Sequence, residues 1–264
     1  AELPRVLQMR SDAQGQLTQL ELAMAPEQDW AERCTALRAC AALLRGLAAG
    51  ASHADALWLQ WHRSASHVVA AAVTDLRSAV VKEATATVSA FAHRASTVSG
   101  RASSHSCAAS AADVIVPALM RLVATPNRGF SDLGHAALLD VYRSIPSALL
   151  LPRVLEGLAD KSVTLRGRCA ECLLRVLGDW PLEILRQAVP ELEVALARAL
   201  ADASPEARGA ARGAFRAFEA MFAEAAERVL SRLSPAERKR LLHAPEPPLR
   251  RSSPASSAAA ASTS

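Results

Sequence analysis

The sequence predicts an all-α fold, a HEAT-repeat α-solenoid with five to six helical hairpins. Three observations carry this: a composition rich in helix formers, apolar residues at helical spacing between short loops, and a motif recurring at roughly 40-residue intervals. The chain has 264 residues, and 51% of them are hydrophobic, enough for a sizeable core. Much of that share is Ala and Leu, whereas aromatic residues reach only 4%. Ala, Leu, Arg and Glu favour helices; the β-branched and aromatic residues are too scattered for a sheet protein.

The elements follow in order. Leu17, Leu20 and Met24 form one helix face that ends near Pro26; Leu3, Val6 and Leu7 precede it. Asp29 is a good N-cap for a second helix, in which Leu37, Cys40, Leu44 and Leu47 share a face and Gly46 and Gly50 mark the end. Further helical patterns span about 54–73, 75–94, 111–124, 130–144, 147–159, 161–178, 181–201, 204–222 and 223–233. The loops between them are short, which implies antiparallel neighbours. The Ser/Ala-rich stretch 97–110 reads as a mobile insertion between hairpins, on the edge away from the hairpin turns. The expected domain is therefore 1–243, followed by a disordered Pro/Ser/Ala-rich tail at 244–264.

The repeat is anchored on Asp75, Asp160 and Asp202. Five residues after each stands Val80, Leu165 or Ala207, expected in the hairpin core; nine residues after stands Ala84, Cys169 or Ala211, small because a neighbouring helix crosses there. Arg166 and Arg208 follow two of the three aspartates at the sixth position. Each Asp is expected to cap the second helix of its hairpin.

The net charge of +4 permits an acidic partner without choosing one. No apolar run approaches the roughly 18 residues of a membrane span, and the first residues lack the apolar region of a signal peptide. Five cysteines without paired spacing fit a reduced, intracellular protein. Cys169 and Cys172 form a CxxC at helical spacing, read as core packing because no further ligands suit a zinc site. The seven histidines show no HExxH or i, i+4 pair. With no GxGxxG, P-loop or GxSxG motif, and no nucleophile beside a base, neither an enzyme nor a cofactor is expected. Trp58, Trp61 and Trp180 read as packing residues, and Trp30 as an exposed residue at a helix start.

The phrases DWAERCTALRACAALLRG, DLRSAVVKEATATVSAFA, VIVPALMRLV, KSVTLRGRCAECLLRVLGDW and DASPEARGAARGAFRAF occur in this order. Together, over about Leu17–Leu242, the chain resembles the TOG domain of the CLASP (CLIP-associating protein) family. The resemblance implies tubulin binding through the loops inside each hairpin. It places Trp30 in the first loop, Arg77, Ser78, Val80 and Lys82 in or just after the second, and Arg128 in the third. Lys161, Arg166 and Arg168 fall to the fourth, Arg208 and Arg212 to the fifth. Pro126 and Gly129 make the third loop depart from the family pattern.

The partners so implied are tubulin and microtubules, with plus-end tracking proteins engaged through regions outside this chain, and no nucleic acid or membrane. The implied setting is the microtubule cytoskeleton, including spindle, kinetochore or cilium, and the implied role is catastrophe suppression and rescue. Microtubule polymerases and crescerins are related TOG-bearing alternatives. A scaffold unrelated to tubulin would instead bind peptides on its concave helical face, and a nucleic-acid binder would show a steep salt dependence.

Overall fold

A computed structural model describes residues 13–46, 54–98 and 100–242; the first apolar trio, Gly50 and the 244–264 tail lie outside them. All regular structure among the described residues is helical. Helices α1 (Ala13–Met24) and α2 (Trp30–Gly46) form the first hairpin. In the second, α3 (Ala54–Gln60) passes through a π turn into α4 (Ser66–Val73), which pairs with α5 (Ser78–Ala95). In the third, α6 (Arg101–Ser110) continues through another π turn into α7 (Val116–Val123), which pairs with α8 (Arg128–Ser144). The fourth joins α9 (Leu151–Gly157) to α10 (Val163–Asp179). After α11 (Leu182–Arg186), the fifth joins α12 (Val189–Leu200) to α13 (Pro205–Met221), and α14 (Ala223–Arg232) and α15 (Pro235–Leu242) close the described chain.

The hairpins stack in two layers. One is formed by the second helices, α2 on α5 on α8 on α10 on α13. The other runs α1, α3/α4, α6/α7, α9, α12 and α14. The stacking works because positions facing a neighbouring helix are buried and small. Ala84, Cys169 and Ala211 are fully or almost fully buried, as are Val80, Leu165 and Ala207. At Gly157 an added Cβ would stand 2.3 Å from Cys169 Sγ and 2.5 Å from Met120 Cε, so even a methyl is excluded there.

Three tryptophans fill the core as expected. Trp61 stacks on Phe91 with ring centroids 4.9 Å apart, and Trp58 meets the same ring edge-on. Trp180 donates its Nε1–H to the Tyr142 carbonyl at 2.6 Å. All five cysteines are free and buried, with Cys169 and Cys172 packed on α10.

The aspartates do not all act as caps. Asp29 does, accepting the N–H of Ala31 at 2.8 Å. Asp75, Asp160 and Asp202 each stand two residues ahead of the capping position, accepting the N–H of Arg77, Ser162 and Ser204 at 2.8, 2.7 and 2.8 Å. These are Asx turns, in which the side chain imitates a backbone turn. The caps of α10 and α13 are Ser162 and Ser204, whose hydroxyls accept from Leu165 and Ala207. Asn127 caps α8.

Within the stretch expected to be an insertion, residues 101–110 form helix α6. Gly100, with a φ of 111° that favours glycine, leads into α6. Ser103, Cys107 and Ser110 are buried on one face of that helix. Their small side chains permit close packing, and Ser110 returns its hydroxyl to the Ser106 carbonyl at 2.8 Å, which satisfies that buried group within its own helix. Arg101–Val123 is long and apolar enough to cross a membrane by length and composition, contrary to the expectation that no segment would be; most of it is buried inside the stack as the first helix of hairpin three. Pro117 sits just beyond its π turn at Ala111–Ile115. The wider turn accommodates a proline ring that would press on the carbonyl four residues back.

Candidate binding edge

The turns inside the five hairpins, at 25–29, 74–77, 124–127, 158–162 and 201–204, are held by a recurring set of side-chain clamps. In four of the five turns the fourth residue after the cap carries the clamp; in the second that position is the buried Val81, and the turn is gripped through Asp75 instead. In the first turn this is Arg33, which donates to the Met24 carbonyl at 3.2 Å and to Asp75 of the next turn at 2.7 Å. Ser131 serves the third turn, donating to the Val123 carbonyl at 2.9 Å. Arg166 serves the fourth; it reaches the Asp160 and Lys161 carbonyls and grips Asp202 of the fifth turn through both carboxylate oxygens. Arg208 closes the fifth by donating to the Asp202 and Ala203 carbonyls. The first turn is thereby tied to the second and the fourth to the fifth, so these turns share one edge of the stack.

The electrostatics agree. Burial alone would raise the Asp75 carboxyl, but the Arg77 N–H and the Arg33 guanidinium outweigh it and hold the group below the usual carboxylate range. At Asp202 the hydrogen bonds from Arg166, helped by the Ser204 N–H, lower the carboxyl against the opposing effect of burial.

This frame sorts the eleven residues assigned to the edge. Trp30 opens α2 with 45% of its surface exposed. Arg77, Ser78, Lys82, Arg128 and Lys161 are also exposed. Val80 is not: its exposure is 0%, and it fills the hairpin core, because the fifth position after Asp75 points inward. It cannot meet a partner directly. Arg166 and Arg208 recur because they clamp turns, and their guanidinium groups are already engaged. Arg168 bridges to Asp132 at 2.7 Å and Glu171 at 3.5 Å, joining α10 to α8. Arg212 is half-buried beside Arg208.

Two apolar residues on this edge escaped the sequence reading. Leu76, directly after Asp75, is 96% exposed, and Val163, at the start of α10, is 52% exposed. A signal existed: both lie outside the inward-facing positions of the repeat, at one and three residues after their aspartates.

Two layers of stacked helical hairpins, with the hairpin turns gathered on one edge, make this a HEAT-repeat domain of the TOG type. The family described as CLASP N terminal matches residues 9–242, and the chain belongs to that family. CLIP-associating protein 1 of Xenopus tropicalis is 28% identical over 221 residues, covering 84% of this chain and 14% of its own length; the chain thus spans about a seventh of the CLIP-associating proteins it matches. Among solved structures, a TOG domain array of microtubule polymerases described for tubulin recruitment and assembly superposes with a TM-score of 0.62 at 17% identity, covering 89% of this chain and 45% of that one. A structure of crescerin, described as using a TOG domain array to regulate microtubules in the primary cilium, gives a TM-score of 0.59 at 16% identity, with 85% and 87% covered.

Proposed function

We infer that this chain is a tubulin-binding module and that it engages tubulin along the edge of hairpin turns. One observation carries the reading: large apolar side chains stand out at Trp30, Leu76 and Val163, on the edge that also exposes Arg77, Lys82, Arg128 and Lys161. An exposed tryptophan or leucine has no role in the core that would keep it there, and an aromatic anchor within a polar rim is the usual composition of a binding hot spot. Tubulin is acidic, and a row of cations complements and steers an acidic partner. Single exposed pairs contribute only about 0.2–1 kcal/mol, so affinity rests on the apolar anchors with the cations acting together. The family and the named relatives support the same reading.

Within a longer protein this module would serve regulation of microtubule dynamics, by suppressing catastrophe, promoting rescue and acting at plus ends, spindle or kinetochore. Other segments would recruit plus-end tracking proteins. Gel filtration of the chain with free tubulin, alongside pelleting with polymerised microtubules, tests the module itself. Co-elution or co-pelleting that weakens as salt rises is expected; no association in either format at low salt overturns the reading.

A further inference from the structure

On the edge opposite the hairpin turns, the ends of α5 and α8 and one face of α6 border a cleft of about 370 Å³. At about 1.5 Å per residue, the 18 residues of α5 set it about 27 Å from the turn that precedes Ser78. We propose that this cleft docks a short extended segment of a second protein partner, one that carries a large apolar side chain beside carboxylates. The volume falls at the lower end of the range of about 300–1,000 Å³ typical of ligand sites. Val98, Ile145, Pro146 and Leu149 make its apolar wall. Leu149 is 42% exposed there, a large aliphatic side chain that the core does not take up.

The polar groups of the cleft suit a peptide backbone. The Ser96 and Ser104 hydroxyls donate to the His93 and Val98 carbonyls at 2.7 and 3.4 Å, so their oxygens remain acceptors for a peptide N–H. Ser147 is the converse: its oxygen accepts the Leu149 N–H at 3.4 Å, and its O–H is left to donate to a peptide carbonyl. The charge around the cleft is of one sign. Within three residues of its lining positions the sequence places Arg94, Arg101 and Arg143 and no Asp or Glu. Arg101 precedes Ser104 and His105 by three and four positions, so it shares their face of α6. Arg143 directly precedes Ser144 at the end of α8, and both arginines are exposed. Asp140, a turn further back on α8, is half-buried. Carboxylates beside the apolar anchor therefore meet cations, which fix the choice of partner and speed its encounter more than they add strength. A nucleic-acid strand would use the arginines and not the apolar wall. The cleft shares no residue with the edge of hairpin turns, so this inference does not depend on the tubulin reading.

The test selects a phage-displayed library of random short peptides on the full chain, with the Leu149→Asp chain as counter-selection. Selected peptides are synthesised with a fluorophore and followed by anisotropy at fixed ionic strength. They are expected to share one large apolar residue next to Asp or Glu. Leu149→Asp should weaken their binding by about tenfold or more, as for loss of a central anchor. Arg101→Ala and Arg143→Ala should each weaken it by up to about fivefold, the range of one exposed ion pair. Leu149, Arg101 and Arg143 are exposed, so these variants keep their fold, which unchanged melting curves verify. Should Leu149→Asp fail to fold, the chain carrying both Arg101→Glu and Arg143→Glu takes its place in the counter-selection. Failure to enrich any peptide on wild type over the counter-selected chain overturns the proposal. So does a selected set that lacks carboxylates or is insensitive to both arginines. Lys82→Ala, on the opposite edge, should change nothing; a loss there would seat the peptides on the hairpin turns and overturn the proposal. A single-stranded oligonucleotide that displaces the peptides and binds wild type and Leu149→Asp equally would show a nucleic-acid site and also overturn it. Failure here with intact tubulin association refutes the cleft alone; peptide binding without tubulin association refutes the tubulin reading alone.

Discussion

Replacing Asp202 with alanine should weaken the domain at the joint between its fourth and fifth hairpins. The side chain is 8% exposed and its partner Arg166 is 16% exposed, so both charges are largely withdrawn from water. Asp202→Ala removes two contacts to Arg166 and the acceptor for the Ser204 N–H. Taking one partner from a fully buried pair costs about 3–5 kcal/mol. Here Arg166 keeps the Asp160 and Lys161 carbonyls, so the expected loss is nearer 2 kcal/mol, the price of one part-buried charged contact and one turn bond. For a domain of this size that is about 4–8 °C in melting temperature. Asp202→Asn keeps the turn acceptor and should lose about half as much.

Urea denaturation of wild type and both variants, with Arg166→Ala completing a double-mutant cycle, measures the coupling. The sign of the pH dependence follows from the lowered Asp202 carboxyl. A group whose folded pKa is depressed contributes stability that is fully present above its unfolded value of about 3.9 and is lost as pH falls through the folded value. The gap between wild type and Asp202→Ala should therefore be constant near neutrality and close in strong acid. An Asp202→Ala variant within about 0.5 kcal/mol of wild type at neutral pH, the range of an ordinary surface change, would refute the reasoning.

Gly157→Ala should destabilise by about 1–3 kcal/mol, the usual cost of overpacking, because the new methyl meets Cys169 Sγ and Met120 Cε; adding Cys169→Ala should recover part of the loss in thermal melts. Burial pushes the Cys40, Cys107 and Cys169 thiols up to about 12, so a thiol reagent near neutral pH should label them only as the protein unfolds, with all five cysteines reacting at once in denaturant. Deleting 101–110 should abolish the cooperative melt followed by circular dichroism, since it removes the first half of a core helix; a folded deletion variant would return that stretch to a dispensable loop.

The helical repeat was legible because its signal is geometric. A small residue nine positions after Asp75, Asp160 or Asp202 is required wherever helices cross closely, and Gly157 against Cys169 shows how tight the crossing is. Composition misled at 97–110, where many serines suggested mobility. The informative feature was the spacing of Ser103, Cys107 and Ser110, a helix face made of small residues instead of large apolar ones. On the binding edge, periodicity located the turns but could not tell an inward clamp from an outward contact. Arg166 and Arg208 recur for the first reason, while Lys161, beside one of them, is exposed. Leu76 shows the converse: an apolar residue in an Asp-initiated turn reads as core by type, and only its position in the folded turn leaves it in solvent.

The central claim is that the edge of hairpin turns binds tubulin through exposed apolar anchors. Its most direct test is the affinity of the Trp30→Glu chain for free tubulin, measured together with its melting temperature. The account predicts an affinity loss of about 2 kcal/mol or more, roughly thirtyfold, as for removal of a hot-spot anchor, with melting unchanged because Trp30 lies outside the core. Full tubulin affinity in a stably folded Trp30→Glu chain would contradict it.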